Sequence, residues 1–395
     1  MKSILFIINS LTIGGSEKSL ISLLGFIDYS KYKVNLLMLK KGEAFDKFIP
    51  NEVNILEVPE YYKYLQGNLR NIKIKNRFKY RFIRYKCSLD LRLNGRKGKI
   101  RNNQQIFYEN QKNILEKINK NYDIAISYAQ GFPTYLLADK INANKKIAWI
   151  NCDYSATMYD KDLDKYYYDK VDKIIAVSES GKKSIIRVNK EYENKIEVIK
   201  DIVNPDLIIK MSEDSINEIN NLEFNIVTVA RLVEGYKGYD IAVEACKILK
   251  DKGYKFKWYA IGEGHDREKI ENRIKHNNLE KEFILLGNKD NPYPYMKKCN
   301  LYVQTSRKEG FGLTVVEAKI LKKPIVCTNF ATAKEIINNN IDGLIVKTDV
   351  KSLSEGIIKM IEDKEFYNNI SKELMDKKVY SSINQINKFY NVINN

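Results

Sequence analysis

The chain has 395 residues and carries 67 Lys and Arg against 50 Asp and Glu, a formal charge of +17. At about 100–200 residues per domain this length predicts two domains, and 44% hydrophobic residues suffice for packed cores and are too many for a disordered chain. No apolar run approaches the roughly 18 residues of a membrane-spanning helix. Two histidines, His265 and His276, argue against a histidine-based zinc site or a Ser-His-Asp triad, and five scattered cysteines without a C-x-x-C pair fit a reducing cytoplasm.

The apolar start is too short for a signal peptide, because Asn9 and Ser10 interrupt it; Ile4–Ile8 reads as a strand instead. A Gly-Gly turn at 14–15 and a helix from Ser16 to Phe26 follow, then strands at Val34–Leu39 and Val53–Val58. Beyond a basic stretch the pattern predicts a helix near Gln104–Lys120, a strand at Asp123–Ser127, a helix at Phe132–Lys140, and strands at Lys146–Ile150 and Lys173–Val177. The polar run after Asn204-Pro205 marks a boundary. Strands then start at Phe224, Phe256, Phe283, Leu301, Pro324 and Leu344, with helices at Arg267–Asn277, Tyr293–Lys298, Thr314–Leu321, Ala333–Asn338 and Leu353–Glu362. Continuous apolar strands between helices indicate parallel sheets covered on both faces. The expected architecture is α/β: two Rossmann-like doubly wound domains facing a central cleft, with a ligand at the strands' carboxyl ends. The expected boundaries are 1–203 and 204–380, with a basic insertion at about 61–103 and a helix at about 381–395 packing back on the first domain.

Two segments carry chemistry. Glu309-Gly310-Phe311-Gly312-Leu313-Thr314-Val315-Val316-Glu317 follows a strand and opens a helix. Its glycines let backbone approach a ligand, its helix N-terminus offers unpaired N–H groups to an anion, and Glu317 leans back toward that anion. The bland reading is a strand-to-helix turn flanked by chance acids. Ala230-Arg231-Leu232-Val233-Glu234-Gly235-Tyr236-Lys237-Gly238 follows the strand that opens the second domain. Arg231 and Lys237 there are either solvated surface cations or a clamp for a diphosphate, one a planar fork and one a point charge.

Together these segments resemble glycosyltransferase family 4, retaining enzymes of the GT-B fold and, among relatives, bacterial surface-polysaccharide glycosyltransferases. Gly14-Gly15-Ser16-Glu17, Val177-Ser178-Glu179-Ser180, Gly262-Glu263-Gly264 and Pro324-Ile325-Val326 match further family turns and strand ends in order. The resemblance implies that Arg231 and Lys237 bind the donor diphosphate and stabilise charge as the nucleotide leaves, and that Glu309 lies near the anomeric carbon. It implies backbone contacts to the sugar at Gly310, Phe311 and Gly312, phosphate contacts at the Leu313 and Thr314 N–H groups, and ribose contacts at Glu317. Gly15 would let the first domain's loop approach the phosphates. One position departs from the pattern: many relatives carry His where this chain has Asn151. Asn hydrogen-bonds a sugar hydroxyl but shuttles no proton. Asp153 either shares that role or caps the next segment.

Between Lys63 and Arg101 fourteen Lys and Arg meet one acid, Asp90, so this stretch supplies +13 and all the rest +4. Ile74, Phe78, Phe82, Tyr85 and Leu89 are spaced 4, 4, 3 and 4 and share an arc of about 80° on a helical wheel. Lys73, Arg77, Lys79, Arg84 and Lys86 lie outside it. This is the pattern of a basic amphipathic helix on an anionic membrane, with Phe82 in the apolar face. The alternatives are a helix whose apolar face packs on its own domain, a grip on an anionic acceptor chain, and nucleic acid, which the enzyme motifs make uneconomical.

The sequence therefore predicts a hexosyltransferase-type retaining enzyme, cytoplasmic and peripheral on the inner face of the cell membrane. It would take a UDP- or GDP-linked sugar donor and a glycan or polyprenyl-diphosphate-linked acceptor, without metal or other cofactor and without nucleic acid. The competing class is a non-catalytic nucleotide-sugar or glycan-binding protein of the same fold.

Overall fold

Apolar strands between helices assemble, as the alternation predicts, into two parallel sheets. The computed structural model describes residues 1–12, 14–65, 74–94, 101–219, 223–376 and 381–395, with backbone alone at 74 and 75. The chain divides into one unit of Met1–Val203 with Ile383–Asn395 and a second of Asn204–Ser382.

In the first unit β1 (Lys2–Ile8), β2 (Tyr32–Met38), β3 (Asn54–Ile55), β4 (Ile118–Ser127), β5 (Ile141–Ile150), β6 (Lys173–Ala176) and β7 (Ile196–Val198) form a sheet ordered β3-β2-β1-β4-β5-β6-β7. Ile4 pairs with Val34 on one side and Ile124 on the other, so β1 is central, and its Ile4–Ile8 run is buried. That double burial is why the run is apolar without alternation. The helix Ile383–Asn394 lies against the same unit: Phe389 stacks on Phe6 at 6.3 Å, Tyr390 stacks on Tyr32 at 5.7 Å, and Lys145 Nζ donates to the Val392 carbonyl at 2.6 Å.

In the second unit β8 (Phe224–Val229), β9 (Phe256–Ile261), β10 (Phe283–Gly287), β11 (Leu301–Gln304), β12 (Ile325–Thr328) and β13 (Leu344–Val346) are ordered β10-β9-β8-β11-β12-β13. Chain order therefore reverses between β8 and β11, which pair at Leu301↔Ile226 and Tyr302↔Val227. In a doubly wound sheet this is the switch point, where flanking connections leave in opposite directions and open a crevice at the strands' carboxyl ends.

Two expected elements shorten most. The helix near 104–120 stops at Gln111, because Ile118–Ser127 is taken by β4, paired along β5. The strand expected over 53–58 shrinks to Asn54–Ile55 at the sheet edge.

Candidate functional site

The switch point of the second sheet brings the two motif segments side by side. β8 runs out into Ala230 and Arg231, and β11 runs out into Thr305–Glu309. The chain after β8 is held by Ala230 N–H to the Ile261 carbonyl at 3.0 Å and Leu232 N–H to the Glu263 carbonyl at 3.0 Å. Leu232 is buried, and Arg231 beside it is exposed, with no ion pair among the described residues. A short helix, Glu234–Lys237, follows. Glu234 is buried and serves structure: Arg273 reaches it at 3.2 Å, Lys269 also pairs with it, and its N–H donates to Asp266 Oδ2 at 2.8 Å.

Lys237 Nζ sits 2.7 Å from Glu309 Oε1, with side chains only 16% and 11% exposed. The same oxygen accepts from Gln304 Nε2 at 2.9 Å and Ser306 Oγ at 2.5 Å. Arg307, between Ser306 and Glu309, forms a two-pronged pair with Asp240 at 2.7 and 2.6 Å and donates to the Glu234 carbonyl at 3.1 Å. Burial works to raise the Asp240 carboxyl, but the Arg307 fork outweighs it and holds the group below its ordinary range. The N–H of Arg307 donates to the Tyr236 carbonyl at 2.8 Å, so the loop 305–309 is fastened to the short helix through both backbone and side chain.

Gly238 makes that fastening possible. It adopts φ +66°, and a Cβ there would lie 2.1 Å from the Thr305 carbonyl oxygen. Gly238→Ala is expected to cost about 2 kcal/mol, from left-handed strain and displacement of Thr305. Chemical denaturation of the full chain checks this; an unchanged midpoint would contradict the close approach.

Beyond the loop, Gly312 caps the helix Leu313–Ile320 at φ +101° with no side-chain cap, leaving its first N–H groups without intrahelical acceptors. Phe311 and Leu313 are buried, so neither side chain is offered to a ligand. Thr332 Oγ1 donates to the Phe311 carbonyl at 2.7 Å, and Thr314 Oγ1 to Gln304 Oε1 at 3.3 Å. Glu317, one turn along, is 1% exposed and accepts from the Tyr293 hydroxyl at 3.0 Å. Burial and the neighbouring Glu317 charge push the Tyr293 phenol well up, which keeps it a donor.

The structure thus joins Lys237 to Glu309 and leaves Arg231 outside that cluster. Gly15, Asn151 and Asp153 belong to the first unit. Gly15 opens the helix Gly15–Phe26. Asn151 Nδ2 donates to the Tyr128 carbonyl at 2.9 Å, and its Oδ1 is buried without a partner among the described residues. Asp153 stands at the start of the turn Tyr154–Ala156 but caps it with no side-chain bond, accepting instead from Ser155 Oγ at 2.7 Å. Sequence motifs did not point to Gln304, Asp240, Arg307 or Tyr293. Among the described residues no group of three or more His, Cys, Asp or Glu side chains could hold a metal ion.

The basic helix spans Ile74–Leu93, and it carries a second apolar face that the spacing did not predict. Its buried face is Tyr80, Ile83 and Cys87, with Tyr80 and Ile83 packed in a cluster with Tyr61 and flanked by Tyr62, Tyr64 and Ile114. Phe78, Phe82 and Tyr85 are 67, 67 and 68% exposed, and Leu89 and Leu93 are exposed too. At 100° per residue the two apolar faces lie nearly opposite, and the outer one is bordered by Arg81 and Arg92 on one side and Lys79 and Lys86 on the other. Lys79, Arg81, Arg84 and Lys86 form no ion pair among the described residues. Lys73, and the side chain of Ile74, lie outside the described residues. Among the described residues no helix is long and apolar enough to cross a membrane.

Residues 210–375 match the family model described as glycosyl transferases group 1. The capsular polysaccharide biosynthesis glycosyltransferase CapM of Staphylococcus aureus is 31% identical over 193 residues, 47% of this chain and 50% of that protein. The N-acetylgalactosamine-N,N'-diacetylbacillosaminyl-diphospho-undecaprenol 4-alpha-N-acetylgalactosaminyltransferase of Campylobacter jejuni is 28% identical over 229 residues, 55% of this chain and 61% of that protein. The chain spans about half the length of the curated relatives it matches. Among solved structures, Anabaena HepE in complex with UDP-glucose superposes with a TM-score of 0.71 at 16% identity, covering 100% of both chains. Residues 210–375 therefore carry the likeness to the group 1 glycosyl transferases, and the chain has the two-unit GT-B fold.

Proposed function

We propose that the chain moves a sugar from a UDP- or GDP-linked donor to a glycan or polyprenyl-diphosphate-linked acceptor, with retention of anomeric configuration and without a metal ion, in cell-surface polysaccharide synthesis. The observation that carries this is the half-buried Lys237–Glu309 pair, held on a loop that runs directly into an uncapped helix N-terminus. An ammonium has three donors, and Glu309 takes one, leaving two for phosphate oxygens. Arg231, with no acid partner, supplies a planar fork at the same strand end. Fixed cations and the Leu313 and Thr314 N–H groups stabilise the diphosphate where negative charge develops as the anomeric carbon–oxygen bond breaks. That is the work a metal ion would otherwise do. Glu317, held by Tyr293, presents a carboxylate for the ribose hydroxyls.

In a front-face displacement the acceptor hydroxyl bonds to the anomeric carbon on the side the diphosphate leaves, and its proton departs with the leaving phosphate oxygen. No side-chain base is required, which suits Asn151. Its Oδ1 is free to accept from a sugar hydroxyl, since its amide nitrogen is committed to the Tyr128 carbonyl. The names of the relatives, one in capsule synthesis and one acting on a diphospho-undecaprenol-linked glycan, support this acceptor class.

The helix Ile74–Leu93 fits docking on the anionic inner leaflet. Its inner face is packed, its outer face is aromatic and open, and cations line both borders. Such a helix lies in the interface plane, apolar face down and cations at headgroup level.

Nucleotide release from a panel of UDP- and GDP-sugars, measured with and without EDTA, tests the proposal. The expected result is release from one donor, undiminished by the chelator. Release from none, together with no binding of UDP or GDP, would overturn it; loss with EDTA would overturn metal independence.

A further inference from the structure

We infer that Gln304 is a positioning residue for Glu309, an inference that rests on the proposed glycosyl transfer. Gln304 is the last residue of β11 and is 1% exposed. A side-chain amide has two N–H groups and two acceptor positions, and here all four are used. Oε1 accepts from the Tyr302 hydroxyl at 2.7 Å and from Thr314 Oγ1 at 3.3 Å. Nε2 donates to Ser306 Oγ at 2.8 Å and to Glu309 Oε1 at 2.9 Å. The Glu309 carboxylate, which only accepts, fixes which way the amide faces, and the two hydroxyls then donate to Oε1. A flip would turn a carbonyl oxygen onto the Glu309 carboxylate.

The effect falls on one carboxylate oxygen. Glu309 Oε1 is occupied by Lys237, Gln304 and Ser306, and no donor among the described residues reaches Oε2. Three donors on one oxygen fix the plane of the carboxylate and leave the other oxygen to the donor sugar. Two of the three are neutral groups braced from within β11 and its exit, so the orientation persists when Lys237 turns toward phosphate. Gln304 also touches Thr314 in the first turn of the helix whose N-terminus faces the phosphates. One amide thus ties the carboxylate to the anion-binding turn, in the strand position where an apolar residue would leave both unbraced.

The test is a double-mutant cycle on the full chain, with nucleotide release from the preferred sugar donor as the readout. Gln304→Leu removes all four bonds. Gln304→Glu keeps the shape and the two bonds to Tyr302 and Thr314 while turning an acceptor toward Glu309, so it decides the matter should Gln304→Leu unfold. Each is expected to lower kcat by tenfold or more with donor KM and UDP affinity changed less than threefold. Combined with Glu309→Gln, neither should lower kcat by more than a further twofold, because both act through the same carboxylate. A folded Gln304 variant with kcat within twofold of wild type would overturn the inference, as would losses that multiply in the double variants or appear in KM alone. Full activity of Glu309→Gln by itself would instead remove the catalytic reading of the site, and this inference with it.

Discussion

Replacing Glu309 with glutamine is expected to lower kcat by about 10³-fold while UDP affinity stays within a few-fold of wild type. One preorganised group facing the reacting centre is worth roughly 10²–10³ in rate, and glutamine cannot carry the charge that faces a developing positive anomeric carbon. Lys237 survives this change with its charge free for phosphate, so ground-state binding is preserved. Lys237→Ala should behave differently. It removes a diphosphate cation and leaves Glu309, 11% exposed, with only the neutral donors Gln304 and Ser306. Both UDP affinity and kcat should then fall, affinity by about tenfold or more, since truncating one partner of a partly buried pair also strands the other charge. Calorimetric UDP titration beside steady-state turnover separates the two patterns. A Glu309→Gln enzyme at near wild-type rate, or a Lys237→Ala enzyme that binds UDP normally, would contradict the roles assigned here.

The second large effect belongs to the helix Ile74–Leu93. Neutralising Arg77, Lys79, Arg84 and Lys86 together should weaken partition onto vesicles rich in anionic lipid by about two orders of magnitude, at roughly 1 kcal/mol per cation near the surface with some loss to screening. Donor binding should be spared. Phe78→Ser with Phe82→Ser should weaken binding as well, through lost insertion of two rings that are 67% exposed. The two sets differ in salt response: binding that remains without the cations is insensitive to ionic strength, and binding that remains without the rings is not. Vesicle co-sedimentation at two salt concentrations measures both. Unchanged partition in either variant would mean that the outer face meets something other than lipid.

What was legible in the sequence is local. Short apolar runs bounded by turn residues placed the strands of both sheets except the three-residue edge strand β7, because a strand buried on both faces needs no partner information to be recognised. The Glu309–Glu317 turn was legible from local pattern too: two glycines at fixed spacing between a strand and a helix report a backbone shape. What escaped was whatever joins residues far apart in the chain. Arg307 and Asp240 are 67 residues apart, and Tyr293 lies 24 before Glu317, so neither pairing has a periodic signature. Gln304 was hidden because its position at the end of an apolar strand reads as core, and only the folded loop reveals four partners. Glu234 stands inside the cationic motif, yet Lys269 and Arg273 make it a fastening point, a pairing across more than thirty residues that no local spacing reports. A reading that follows motifs also stops at Gly238 and passes over the helix Tyr239–Asp251, although its buried Ile241, Ala242, Ala245 and Leu249 carry an ordinary helical stripe. In the basic helix the 3.6-residue period was readable, but both faces are apolar. Tyrosine spends its ring inward and its hydroxyl outward, so Tyr80 was no less suited to the core than Phe82 to solvent or lipid.

The central claim is that this chain transfers a sugar from a nucleoside diphosphate with its anomeric configuration kept. The most direct measurement is proton NMR of the reaction between the preferred α-linked UDP- or GDP-sugar and a lipid-diphosphate-linked glycan acceptor, read at the anomeric proton of the first product. The expected product shows the small coupling of an α-linkage in a gluco- or galacto-configured sugar, formed at the rate of nucleotide release and lost in Glu309→Gln. A large coupling, from a β-linked product, would contradict the account, as would a product formed equally well by the Glu309→Gln chain.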